Sequence, residues 1–338
     1  MEKKTIRIGF IGAGSIGSLF GGCIASIQSE IYSIEVILFG REAHIKAINE
    51  NGLVISKNEE IQRISNIESH KNPEYVEKRL LKESQRVFDF IFLTTKAYDL
   101  EIALSQYKSL INASKWIVIL QNGLGNEDIV KKYFPKEKII RAITTNGAFL
   151  KKPGHVIHTG LGITKLGFPF LNLQKQGENK PFDAISGAQL INEILNLAGL
   201  ETTLTNDIIR DSWEKVLINI GINAIGTLTR LKNGELLKIE GLKRLMGDAI
   251  REAISVAKRK KIDLSKKDYV ALTYEVAEKT LENKNSMLQD ILKGKRTEID
   301  FINGKIVEYA KEMKIHVPLN DALTQLIKGL EKISSEGF

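Results

Sequence analysis

Lys215, Asn219 and Asn223 recur at intervals of four residues within the run Trp213–Asn223, WEKVLINIGIN. At about 100° per residue they drift little around a helix and form one polar stripe about 12 Å long. Val216, Leu217, Ile218, Ile220, Ile222, Ala224 and Ile225 surround the stripe with apolar side chains, the pattern of a helix buried on nearly every side. An ammonium and two carboxamides in such a helix need partners, because an unpaired buried polar group costs about 1–3 kcal/mol. Asparagine and Gly221 are also poor helix formers, so the segment gives up local propensity, as functional sites tend to do. The stripe therefore reads as one that faces a ligand; the plainer alternative is a solvated lysine beside two core asparagines.

A second constellation is GAGSIG: Gly12, Ala13, Gly14, Ser15, Ile16 and Gly17. It follows the short apolar run Thr5–Ile11 and opens into a helix of small residues, SLFGGCIASI. Alone, such a glycine pattern is a weak signal. Between a first strand and a helix it has the geometry that binds pyrophosphate: one glycine for the tight turn, one for backbone approach, one for helix–strand packing. The helix N-terminus adds free N–H groups and a positive dipole end. A second strand, Ile34–Phe39, ends in Gly40, Arg41 and Glu42. NAD sites usually carry an acid at this strand end for the ribose 2′-hydroxyl. Arg41 can instead take a 2′-phosphate in bidentate fashion, which favours NADP, although Glu42 weighs the other way. Lys96 ends VFDFIFLTTK, and Asn122 lies in the Gln121-Asn122-Gly123 turn after WIVIL. Both fall at carboxyl ends of strands, where parallel sheets bind ligands. Lys96 reads as a contact to cofactor phosphate or nicotinamide ribose, while Asn122 before a glycine could equally be turn chemistry.

Asn51–Ser56 and Ile61–Ile67 read as a hairpin, and the polar segment His70–Arg86 as a surface helix. Lys138–Ile143 is a further strand, with His155–Ile157 and Gly162–Gly167 as antiparallel strands closing the sheet. Leu171–Ile185 is a polar loop, Gln189–Ala198 a helix and Leu200–Leu204 an edge strand. From Asp207 the pattern is helical: the helix carrying the stripe, then Leu242–Lys260, Lys266–Glu282, Glu298–Lys314 and Pro318–Ile333. Ile299, Ile302, Ile306, Ala310 and Met313 form a packing stripe. Thr297 is the expected N-cap, with Asp300 three residues on. Glu298 would then sit in a first turn, where the dipole favours an ionised carboxylate able to accept a hydrogen bond from a hydroxyl. The expected architecture is α/β: an N-terminal Rossmann-type doubly wound sheet over residues 1–206, and an all-α C-terminal domain over residues 207–338. The site is expected in a cleft between them.

Composition narrows the class. The 338 residues are 43% apolar and 27% charged, as in ordinary soluble globular proteins. The single cysteine, Cys23, excludes an internal disulfide framework and suits a reducing compartment. No apolar run reaches transmembrane length and the start lacks a signal-peptide layout, so a cytoplasmic location is expected. The net charge of +8 suits an anionic small ligand. Its densest patch, Lys258–Lys261 with Lys266 and Lys267, has no interleaved aromatics and reads as a solvated face rather than a nucleic-acid site. His44, His70, His155, His158 and His316 show no ligand spacing, so no metal is expected.

Taken in order, GAGSIG, TTK, QNG, the Lys215–Asn219–Asn223 series and SMLQDILKGKRTEIDFING resemble the ketopantoate reductase (2-dehydropantoate 2-reductase) family. The resemblance runs from Ile6 to about Leu323, and its last motif is the most specific. It implies an NADP-dependent oxidoreductase that reduces 2-dehydropantoate to (R)-pantoate with NADPH, towards pantothenate and coenzyme A. By motif it implies Lys215 as the catalytic acid and Glu298 as the holder of the substrate hydroxyl, bordering the cofactor. Asn219, Asn223 and Ser286 would bind the substrate, its carboxylate included, and Asn233 is a further substrate-binding asparagine. Lys96, Asn122 and Ala148 match cofactor contacts. The segments His70–Arg86 and Leu171–Ile185 depart from the family pattern and lie away from the motifs.

General chemistry agrees. Hydride arriving at a ketone builds negative charge on oxygen, which a placed acid or cation must meet. Lys215 is the strong donor of the stripe. One rival is a related NAD(P)H-dependent 2-keto acid or β-hydroxyacid dehydrogenase; the Ser286–Glu298 motif argues against it. The other is a non-catalytic NADP-sensing protein, which would have little reason to keep Lys215, Asn219, Asn223 and Glu298 together. The expected partner is a small-molecule 2-keto acid, with neither nucleic acid nor membrane, and a homodimer is left open.

Overall fold

The computed structural model describes residues 3–80, 82, 87–171 and 182–336. The chain forms two compact units, Met1–Gln121 with Asn126–Ile208, and Asn122–Gly125 with Ile209–Phe338.

The first unit begins with β1 (Lys4–Ile11), α1 (Ser15–Ala25), β2 (Tyr32–Phe39), α2 (Glu42–Asn51), β3 (Leu53–Lys57), β4 (Glu60–Ile64), β5 (Glu68–His70) and α3 (Glu74–Leu80). It continues with β6 (Phe88–Leu93), α4 (Leu100–Gln106), α5 (Lys108–Asn112), β7 (Ser114–Ile119), α6 (Asn126–Val130) and β8 (Ile139–Thr144). The rest is β9 (Gly147–Lys152), β10 (His155–Gly160), β11 (Thr164–Gly167), α7 (Phe182–Leu197) and β12 (Thr202–Leu204). The main sheet has the order β12-β11-β8-β7-β6-β1-β2-β5. From β5 to β8 it is parallel. Its central strands are Ile-, Val- and Phe-rich because both faces are covered. The chain winds outward from β1 to β2 and returns to β6 on the other side of β1. This reversal makes the carboxyl ends of β1 and β6 the switch point at which such sheets bind ligands.

Several expected elements are placed differently. β11 does close the main sheet, antiparallel to β8, but His155–Ile157 does not. β10 joins a separate sheet of order β4-β3-β10-β9. There it runs parallel to β3 and antiparallel to β9. The small residues of α1 make this possible. A β-carbon on Gly22 would lie 2.8 Å from Leu53 and 2.7 Å from Ile55, so the second sheet packs directly on the helix. β5 is a short, polar edge strand whose His70 carbonyl accepts the Gly40 N–H at 3.1 Å, and three polar-flanked residues give no periodic signal. Of the expected helix over His70–Arg86, only Glu74–Leu80 is helical among the described residues, and residues 81 and 83–86 lie outside them. Of the expected loop Leu171–Ile185, residues 172–181 lie outside the described set, and α7 starts at Phe182 rather than Gln189. A β-carbon on Gly187 would lie 2.5 Å from the Trp116 ring. The helix gives up propensity there to seat an indole, which hides it from propensity.

The second unit is helical among the described residues: α8 (Ile208–Thr229, from Ile209), α9 (Asn233–Leu236), α10 (Glu240–Arg259), α11 (Tyr269–Lys279), α12 (Ser286–Ile291), α13 (Asn303–Glu312) and α14 (Pro318–Glu336). Val216, Leu217, Ile220, Ile222, Ala224 and Ile225 of α8 are buried in one core with Met246, Ile250, Ile299 and Ile306. The poor helix former Gly221 has a packing reason: a β-carbon there would lie 2.8 Å from Ile250 and 2.9 Å from Thr273. The expected helix Glu298–Lys314 is interrupted. Ile299–Phe301 forms a 3₁₀ turn, Ile302 departs from helical geometry (φ −110°, ψ −97°), and α13 starts at Asn303. Thr297 Oγ1 accepts the Ile299 N–H at 3.2 Å, a capping bond of the expected kind, but the element that follows is the short 3₁₀ turn, whose N-cap position is Glu298 rather than Thr297. Glu298 therefore stands at the head of the turn and not within a first α-helical turn. The apolar stripe itself holds, with Ile299, Ile302, Ile306 and Ala310 buried. Among the described residues no helix is long and apolar enough to cross a membrane.

Candidate active site

Within the second unit, α8 carries Lys215, Asn219 and Asn223 one turn apart, the first two half-buried and the third buried. Glu214 moors this end of α8. Its carboxylate accepts the Ser265 N–H at 3.2 Å and the Tyr269 hydroxyl at 2.8 Å. Burial alone would raise this carboxyl, but hydrogen bonds from Ser265 and Tyr269 and the charge of Lys267 hold it below the usual range. Trp213 stacks on Tyr309, with ring centroids 5.9 Å apart.

The loop Asn122–Gly125 seats on the break before α13. Gly123 has φ +84°, and a β-carbon there would lie 2.5 Å from the Phe301 carbonyl oxygen. Leu124 N–H donates to that same oxygen at 2.9 Å. A carbonyl turned to this loop is one reason the helix does not run through from Glu298. The seating puts the Asn122 carboxamide between two ionisable groups. Lys215 Nζ donates to Asn122 Oδ1 at 2.9 Å, and Asn122 Nδ2 donates to Glu298 Oε2 at 3.2 Å. An ammonium only donates and a carboxylate only accepts, so this amide orientation is the one that satisfies both. Glu298 is 6% exposed. Its segment is pinned to α14: Thr297 N–H donates to Glu331 at 2.6 Å, and Lys328 pairs with Asp300 at 2.6 Å. Burial would raise the Asp300 carboxyl, but Lys328 and Arg296 outweigh it and hold it low. The result is an ammonium and a carboxylate hydrogen-bonded to the two ends of one amide.

Two expected substrate residues sit differently. Asn233 is buried at the start of α9, donating to Thr280 Oγ1 at 2.9 Å through Nδ2 and to the Asn283 carbonyl at 3.0 Å through its N–H. Those bonds tie α9 to the end of α11, and Asn233 Oδ1 is buried without a partner among the described residues. Ser286 is exposed as the first residue of α12. Its neighbour Asn285, which the motif does not single out, caps α12 by accepting the Leu288 N–H at 2.9 Å.

In the first unit, the Gly12–Gly17 loop joins β1 to α1. A β-carbon on Gly12 would lie 2.4 Å from Thr95 N, and one on Gly17 would lie 2.3 Å from Gly12 O. One on Gly14 would meet nothing closer than Gly12 O at 3.9 Å. Two glycines are thus demanded by packing, and the middle one leaves the open cradle a pyrophosphate needs, ahead of a helix without an acid in its first turn. These residues fit a dinucleotide. Ala13 lies against Gly40, where a β-carbon would lie 2.8 Å from its own. Ser15 Oγ accepts the Leu150 N–H at 3.0 Å, bringing β9, and with it half-buried Ala148, to the loop. Ile16 packs on the core. Arg41 is exposed at the start of α2, while Glu42 is paired with Lys71 at 2.8 Å. Lys96 is half-buried just past β6. Gln121 grips the backbone there, a contact that residue spacing does not reveal.

Residues 8–169 match the family model described as ketopantoate reductase PanE/ApbA, and residues 207–331 match its C-terminal counterpart. A 2-dehydropantoate 2-reductase of Pyrococcus horikoshii is 38% identical over 97% of this chain and 98% of its own. A PanE/ApbA family ketopantoate reductase structure from Ralstonia eutropha superimposes with a TM-score of 0.81 at 26% identity, covering 97% of this chain and 99% of that one. A D-mandelate dehydrogenase structure with NADH and anilino(oxo)acetate gives 0.82 at 28% identity, with the same coverage.

Proposed function

Because this chain belongs to the ketopantoate reductase family, we propose that it reduces 2-dehydropantoate to (R)-pantoate with NADPH. NADPH, when bound, supplies a hydride to the ketone carbon of the substrate. Lys215 supplies the proton: its ammonium gives one to the oxygen that becomes the hydroxyl, so ketone, hydride and proton together make the 2-hydroxy acid. Asn122 Oδ1 accepts a hydrogen bond from Lys215 Nζ and so orients the ammonium that donates to the substrate. Glu298 accepts a hydrogen bond from the substrate hydroxyl. Asn219, Asn223, Ser286 and Asn233 bind the remainder of the substrate, its carboxylate included. Gly12–Gly17, Lys96 and Ala148 contact the cofactor, and Asn122 and Glu298 border it.

The observation that carries this reading is the Lys215–Asn122–Glu298 chain of hydrogen bonds, a cation and a carboxylate bridged by one amide. Preference for NADPH is supported by exposed Arg41 beside Gly40, with the neighbouring acid Glu42 engaged by Lys71. The D-mandelate dehydrogenase match favours one second reading, an NADH-dependent reductase of other 2-keto acids. An assay of ketopantoate and several other 2-keto acids, each with NADPH and NADH, separates the two. The proposal expects the highest kcat/KM for ketopantoate with NADPH; equal use of all keto acids would refute it.

A further inference from the structure

Gln121 is the last residue of the first unit before the Asn122–Gly125 loop, and it is 4% exposed. Its Nε2 donates to the Thr95 carbonyl and to Thr95 Oγ1, both at 2.9 Å, and to the Lys96 carbonyl at 3.4 Å. Carbonyl oxygens only accept, so the amide nitrogen must face them. Gln121 Oε1 is thereby left buried without a partner among the described residues. A buried unpaired acceptor is costly, so an apolar residue would be preferred here if packing alone mattered. The gripped peptide also borders the glycine loop. Thr94 Oγ1 donates to the Gly12 carbonyl at 2.9 Å, and Thr95 N stands where a Gly12 β-carbon would be. One run of contacts thus passes across the carboxyl ends of β7, β6 and β1, and Lys96 rides on it.

We infer that Gln121 is a positioning residue for the dinucleotide, acting through the Thr95–Lys96 backbone that presents Lys96. This rests on the dinucleotide-binding reading of the first unit. Other side chains fail for stated reasons. Leucine would take the amide donor away from the Thr95 carbonyl of a half-buried loop, asparagine is a methylene short, and an ionised glutamate would set oxygen against oxygen. Ligand-positioning errors of about 1 Å are expensive.

The test is a double-mutant cycle in the full chain, read by NADPH fluorescence titration and by kcat at saturating NADPH. Gln121→Leu is expected to weaken NADPH binding about tenfold while kcat changes by less than about threefold. In a Lys96→Ala background the same change should cost less than about twofold. Gln121→Glu supplies an independent signature should the leucine variant not fold. Its carboxyl can donate only when protonated, so its NADPH affinity should recover between pH 8 and pH 5 relative to the unaltered chain. Absence of NADPH binding by the unaltered chain would overturn the dinucleotide reading and this inference with it. Normal binding by both Gln121 variants, or a tenfold loss that persists in full without Lys96, would overturn this inference alone.

Discussion

Asn122 meets a lysine ammonium with its oxygen and a carboxylate with its nitrogen, so in the chemistry proposed for the site one amide orients both groups. Lys215→Ala is expected to lower kcat by about 10²–10⁴-fold with NADPH affinity retained; turnover within a fewfold of normal would remove Lys215 as the acid. Asn122→Ala should lower kcat by about 10–100-fold. Asn122→Asp should in addition move the alkaline limb of the kcat–pH profile upward, because a carboxylate beside the ammonium favours its charged form. An unshifted limb would argue against the bridge. Arg41→Ala should narrow the NADPH-over-NADH preference about tenfold, the worth of a charge-assisted hydrogen bond, and an unaltered ratio would refute the phosphate contact. Lys215 was legible in the sequence because a cation among apolar helix residues has few uses. The bridge was not, because it depends on Gly123 packing on Phe301, nearly 180 residues away.

Among the elements, helices with a sustained apolar period were readable, and those that trade propensity for packing were not. α7 was foreshortened at Gly187, and the helix through Glu298 was overextended because its break is imposed by a loop from elsewhere in the chain. Two helical glycines, Gly221 and Gly329, test this balance. Alanine improves helix propensity by up to about 1 kcal/mol. At Gly221 the added methyl meets Ile250 and Thr273 inside 3 Å, an overpacking worth about 1–3 kcal/mol. At Gly329, in α14, nothing lies within 4 Å. Gly221→Ala is therefore expected to lower Tm and Gly329→Ala to raise it, each by about 2–4 °C per kcal/mol. A rise at both positions in scanning calorimetry would mean that the core around Ile250 relaxes and that Gly221 is not there for close approach.

At the scale of the whole molecule, the parallel sheet followed by helices was legible, since buried strands alternating with helices and then a wholly helical pattern permit few other arrangements. Assignment of β10 to a second sheet was not, because its neighbour β3 lies about a hundred residues earlier and local alternation carries no register. That second sheet is tied to the helices of the main one by His44. Its Nδ1 accepts the Gly154 N–H at 2.9 Å, from the turn between β9 and β10, and its Nε2 lies 2.9 Å from Ser18 Oγ on α1. An accepting Nδ1 requires the neutral ring, with Nε2–H donating to Ser18. Burial holds His44 below its ordinary 6.5, and burial together with the charge of Lys57 does the same at His158. The unfolded chain therefore takes up a proton near pH 6.5 that the folded chain takes only at lower pH. Stability from this source is complete above about pH 6.5 and is lost as the pH falls below it. His44→Asn keeps an acceptor for Gly154 N–H but loses Ser18 and the titration. At pH 8 it should be less stable by about 1 kcal/mol, and that deficit should shrink steadily as thermal unfolding is repeated down to pH 5. A deficit that stays constant over this range would show that His44 is not neutral in the fold, or that its proton does not link the two sheets to acid unfolding.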